Sequence, residues 1–135
     1  MHLDLHPQVI LADSKGRFFL SGFGLSRYLT TDEDPIDTPI GTEKYFAPEM
    51  TTKKVIGGFT DIHNLGLILY ELCAIHDFTD SRFKFITSRD PADFNIHPTY
   101  SDELSRWIKE MCYPDCYGRP TAAEILSADW LRNVN

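Results

Sequence analysis

A chain of 135 residues has room for one ordinary domain, in which about two-thirds of the unfolded surface can be buried. A hydrophobic fraction of 42 % with 13 % aromatic residues is enough apolar material to offset ordering entropy, which excludes wholesale disorder. The formal net charge of −7, with Lys and Arg scattered singly or in pairs, argues against nucleic acid or an anionic membrane surface as a main partner.

In chain order, residues 9–12 and 17–20 are short apolar runs around Asp13-Ser14-Lys15-Gly16, and the glycine suits a bulged turn. This predicts a β-hairpin. Residues 26–41 are polar, contain Pro35 and Pro39, and show no apolar periodicity, which predicts an exposed loop. Residues 61–75 are apolar on most sides and predict a helix enclosed by protein, the central post of the core. The stretch is too short, and too interrupted by His63, Asn64 and Glu71, to cross a bilayer.

Residues 82–88 suggest a further helix, and Pro91 and Pro98 bound a loop. Leu104, Trp107, Ile108 and Met111 fall on one helical face behind Ser101-Asp102-Glu103, which supplies a cap and acids for the first turn. Thr121 and Glu124 fit a capping box, so a last short helix should follow and end near Leu131. The first residues have neither a basic start nor an apolar run, so no secretory signal is expected. Three cysteines (Cys73, Cys112, Cys116) suit reduced thiols in the cytoplasm or nucleus. Cys112 and Cys116 lack a second Cys or His pair at matching spacing, which favours ordinary thiols over zinc.

Five fragments share one order. His2-Leu3-Asp4-Leu5-His6-Pro7-Gln8-Val9-Ile10-Leu11 resembles the protein-kinase catalytic loop H-R-D-L-K-P-x-N-I-L, and Gly22-Phe23-Gly24-Leu25 resembles the D-F-G-L that starts the activation segment. Gly41-Thr42 with Tyr45-Phe46-Ala47-Pro48-Glu49 is similar to the G-T-x-x-Y-x-A-P-E that closes it. Asp61 to Gly66 resembles D-x-W-S-L-G of the central helix, and Arg119-Pro120-Thr121 resembles R-P-T. The likeness is to the serine/threonine branch of the protein kinase superfamily, with a leaning toward NIMA-related kinases. It covers only the large C-terminal lobe.

The fold class so implied is mainly α with a small β-hairpin, a kinase-like C-terminal lobe of an α+β family without the small lobe. One partial kinase-like domain would fill residues 1–135. Its catalytic loop would be 2–11, its D-F-G equivalent 22–24, its activation segment 22–49 and its helical remainder 50–132.

By the resemblance, Asp4 stands at the position of the catalytic base, where the reading preferred is a non-functional carboxylate hydrogen-bonded to loop backbone, while the two metal-ligand positions are Val9 and Gly22. Val and Gly offer no side-chain oxygen to a hard cation. His2 and Phe23 resemble the large-lobe members of the regulatory spine, and Asp61 resembles the acid that tethers the catalytic loop. Glu49 and Arg119 resemble the buried ion pair that pins the activation segment. His6 replaces a phosphate-contacting Lys. Leu3 replaces the Arg that pairs with a phosphorylated loop, so switching through Thr30, Thr31 or Thr38 is not expected by that route.

On these residues the expectation is an inactive, pseudokinase-type lobe, not an enzyme, without cofactor, binding a protein partner and self-associating through the face on which a small lobe would rest. The alternatives are a serine/threonine kinase with rerouted metal ligands, using ATP and magnesium, or a truncated fragment without function.

Overall fold

The computed structural model describes residues 1–74 and 90–132, so the helix expected over 82–88 lies outside the described residues. After a 3-10 turn at Pro7–Val9, strand β1 (Ile10–Ala12) pairs antiparallel with β2 (Phe18–Leu20), with Leu11 opposite Phe19. The Asp13 carboxylate closes the turn by accepting the backbone N–H groups of Lys15 and Arg17, both at 2.9 Å, and Gly16 takes φ +74°. Each strand is one residue shorter than expected.

The polar segment 26–41 is not simply an exposed loop. Its residues Glu33–Pro35 form strand β3, which pairs antiparallel with β4 (Val55–Gly57), and Ile36 beyond it is buried. The pairing is stabilised from the partner side: β4 brings buried Ile56, and Tyr117 donates its hydroxyl to Glu33 Oε2 at 2.5 Å. A polar strand of three residues leaves no period-2 signal, which is why the sequence pattern missed it.

Helix α1 (Pro48–Thr52) lies between the two strands, opened by Pro48 in the first turn, where its missing N–H costs nothing. The expected central helix is α2 (Gly58–Cys73), which starts three residues early and buries ten of its sixteen residues. Thr60 accounts for the earlier start, since its hydroxyl oxygen accepts the Gly57 N–H at 3.2 Å. Helix α3 (Asp102–Met111) begins as expected, with Ser101 Oγ accepting from Leu104 N–H. Thr121 and Glu124 form the expected capping box on α4 (Ala122–Ser127), after which Ala128 breaks the helix and α5 (Asp129–Arg132) follows. No helix among the described residues is long and apolar enough to cross a membrane.

Three apolar clusters form the core, two of them built on α2. The first joins Leu67, Ile68 and Tyr70 to Phe94, Ile108 and Cys112, with the Tyr70 and Phe94 rings stacked 4.1 Å apart. The second holds Leu3, Ile36, Ala47, Met50 and Ile56, so it clamps the chain start, the activation-type loop, α1 and β4 together. The third joins Ile62, Met111 and Ile125. Outside these, apolar side chains on both faces of the hairpin and just after it stay exposed: Phe18, Phe19, Leu20 and Phe23.

His63 is enclosed by α2 and its neighbours, and among the described residues no hydrogen-bond partner meets its Nδ1. Desolvation, then the nearby Arg119 charge, lowers its pKa to about 3. Because the folded value lies below the unfolded value of about 6.5, this contribution to stability is complete above pH 6.5 and is lost as pH falls toward 3. By pH 5 the loss should reach about 2 kcal/mol. Melting at pH 7.5 and pH 5 checks it: the His63→Leu variant should show the smaller drop, and equal drops would refute it.

Candidate functional site

The site is assembled around the N-terminus of α2. Asp61, in the first turn of that helix, accepts the His2 N–H at 2.7 Å and the Leu3 N–H at 2.9 Å. A carboxylate there is also favoured by the positive end of the helix dipole. The tether matters because Leu3 sits at φ +70°, a left-handed conformation that costs a non-glycine residue about 1–2 kcal/mol. Burial of the Leu3 side chain against Ile36 and Met50 helps hold it there.

His2 has its tautomer set by two bonds. Its Nδ1 accepts from Asp4 N–H at 3.2 Å, which leaves the proton on Nε2 to donate to Ser21 C=O at 2.7 Å. The ring lies 5.0 Å from that of Phe23, so His2 and Phe23 are in contact.

The next residue whose position is fixed is Asp4. Its Oδ1 accepts both the Thr42 N–H and the Thr42 hydroxyl at 2.7 Å, while Oδ2 lies 3.7 Å from His6 Nε2. This approach depends on Gly41, at φ +101°, where a Cβ would lie 2.4 Å from the Leu3 carbonyl oxygen. The end of the activation-type loop is thereby bound to the catalytic-type loop. A backbone bond to Asp4 was expected, but not that Thr42 makes it; the Gly-Thr pair was the available signal.

Two further residues were missed. Glu71, buried in α2, accepts from the Tyr45 hydroxyl at 2.6 Å and pairs with Lys44, so the carboxylate lies behind the segment that carries Thr42. Desolvation and the Glu71 bond push the Tyr45 hydroxyl well above its ordinary pKa. The His6 ring stacks over Tyr45.

Glu49 and Arg119 meet as a bidentate pair at 2.9 and 2.8 Å, both buried. Thr60 donates to Glu49, and Arg119 also donates to the carbonyls of Tyr113 and Phe59 at 2.8 and 3.0 Å. Nearly all the polar atoms of the pair are thus matched, the condition under which a buried ion pair is tolerated. It joins α1 to the start of α2 and to the segment before α4.

Val9 and Gly22 are neighbours in space, but a magnesium ion does not fit them. Val9 presents buried methyl groups and Gly22 presents nothing, whereas magnesium demands oxygens at about 2.0–2.1 Å. Among the described residues no three His, Cys, Asp or Glu side chains converge on a metal position. Cys73, Cys112 and Cys116 are buried free thiols, and burial pushes Cys112 up to about 12.

The model of the protein kinase domain family matches residues 1–131. The chain belongs to the protein kinase family. It is 36 % identical over 129 residues to the serine/threonine-protein kinase Nek2 of Homo sapiens, covering 93 % of this chain and 29 % of that protein. Mouse Nek2 is 36 % identical over 137 residues, with 99 % and 31 % covered. CBL-interacting serine/threonine-protein kinase 21 of Arabidopsis thaliana is 35 % identical over 135 residues, with 97 % and 32 % covered. The chain therefore spans about a third of the length of these relatives.

The serine/threonine leaning and the resemblance to NIMA-related kinases agree with these matches. The expectation that the chain is not an enzyme does not. It is overturned by relatives that are themselves serine/threonine protein kinases. That expectation took the loss of two oxygen ligands as decisive and read a backbone-bonded Asp4 as structural; the backbone bond is there, from Thr42 N–H, and the Thr42 hydroxyl adds a second.

Proposed function

We propose that this chain is the acceptor-binding, large-lobe part of a serine/threonine protein kinase, which transfers the γ-phosphoryl group of ATP to protein hydroxyls. The observation that supports this reading is the pair of hydrogen bonds from Thr42 to Asp4 Oδ1, which holds the carboxylate in one orientation, with Oδ2, 3.7 Å from His6 Nε2, as the oxygen that would meet a hydroxyl. In the step proposed, the hydroxyl oxygen bonds to the γ-phosphorus and the bond to the bridging oxygen breaks. ADP leaves with the electron pair, and Asp4 takes the hydroxyl proton. ATP thus enters as donor, in place of the expectation of no cofactor. The nucleotide-holding groups of a small lobe would come from other parts of the complete protein and rest on exposed apolar side chains at the hairpin and just after it, such as Phe18 and Phe23.

Steady-state kinetics of the complete protein test this. Asp4→Asn should lower kcat on the order of 10²–10⁴-fold, the range of a lost general base, with KM for the protein substrate little changed. Thr42→Val, which keeps the backbone bond, should lower kcat about 10-fold. Retention of full turnover by Asp4→Asn would refute the reading.

A further inference from the structure

The catalytic-type loop and the loop after β2 are fastened together at one point. Ser21 donates its N–H at 2.9 Å and its hydroxyl at 3.0 Å to the Val9 carbonyl, while its own carbonyl accepts from His2. These bonds bring Val9 against Gly22, which lies at φ +79°. A Cβ at position 22 would stand 2.6 Å from Val9 Cγ1 and 3.3 Å from Val9 Cβ, closer than carbon atoms pack. The Val9 side chain is only 8 % exposed, and the three bonds around Ser21 leave the loop little freedom to retreat.

We infer that Val9 and Gly22 form one interlocked apolar plug, which bars a divalent cation from the junction of these two loops. The valine methyl occupies the space that a side chain at position 22 would need, so the two residues are coupled. Restoring an oxygen ligand at 22 alone meets Val9, and restoring one at 9 alone supplies a single ligand where magnesium wants several. The phosphate charge of a bound nucleotide must then be met by groups other than these two positions. The inference concerns where a cation sits, and it stands or falls separately from phosphoryl transfer.

Two measurements on the protein decide it. In a thermal double-mutant cycle, Gly22→Ala should lower the melting temperature by several degrees, and the same change in a Val9→Ala background should lower it by clearly less. If Gly22→Ala does not fold while Val9→Ala/Gly22→Ala does, the coupling is shown in its extreme form. Equal shifts in both backgrounds would overturn it. In a manganese titration followed by electron paramagnetic resonance, wild type and Gly22→Asp should hold no ion near Ser21. Val9→Asn/Gly22→Asp should bind manganese at least 10-fold more tightly than either. Manganese broadening of the Ser21 and Phe23 amide signals in wild type would overturn the plug, as would a site gained by Gly22→Asp alone at unchanged melting temperature.

Discussion

Arg119→Leu is expected to destabilise the fold by about 3–5 kcal/mol, because the Glu49 carboxylate would remain buried without its guanidinium. For a domain of this size that is a fall in melting temperature of roughly 10 °C or more. The cost arises from the stranded charge, not from the missing contact alone. A Glu49→Leu/Arg119→Leu protein removes both charges and should recover part of the loss, since apolar replacements of buried pairs are often neutral. Recovery will be incomplete because the Thr60 hydroxyl and the carbonyls of Phe59 and Tyr113 lose partners too. A melting curve for Arg119→Leu that overlays wild type would show that the pair does not hold α1 and α2 together.

The second large effect belongs to Asp61. Asp61→Ala leaves the His2 and Leu3 N–H groups without their acceptor, at about 1–3 kcal/mol each. It also removes the restraint on the left-handed Leu3 backbone, so the loop relaxes and carries Asp4 away from Thr42. Hydrogen exchange reads this directly. Protection of the His2, Leu3 and Thr42 amides should fall together in Asp61→Ala, while the amides of α3 keep theirs. Unchanged protection at His2 and Leu3 would contradict the tether.

Much of this architecture was readable in the sequence, and the reasons are local. The hairpin followed from two apolar runs around Asp13 and Gly16, and the cap of α3 from Ser101 ahead of an apolar face. The capping box at Thr121 and Glu124 is likewise a short-range pattern. What stayed hidden depends on distant partners. Strand β3 is acidic and acquires its conformation only by pairing with β4, some twenty residues later, and from the Tyr117 hydroxyl. The Lys44–Glu71 and Tyr45–Glu71 contacts join residues 27 and 26 positions apart in sequence, with no spacing rule to announce them.

At the site, the fragments were readable but their mutual geometry was not. Gly41 and Thr42 stood out as a motif, yet only the fold shows that Gly41 lets Thr42 reach Asp4. Val9 and Gly22 could be seen as residues without oxygens, but their steric coupling appears only when the two loops are brought together. Treating the missing ligands as decisive led toward an inactive lobe, and the serine/threonine kinase relatives overturn that reading.

The most direct test of the account is to incubate the complete protein with ATP labelled at the γ-phosphoryl group and a mixture of Ser-, Thr- and Tyr-containing peptides, beside its Asp4→Asn variant. Phosphate on serine and threonine in the wild type, lost in the variant, is the predicted result. Absence of transfer by the wild type, or equal incorporation by both proteins, would contradict a transfer centre built on Asp4.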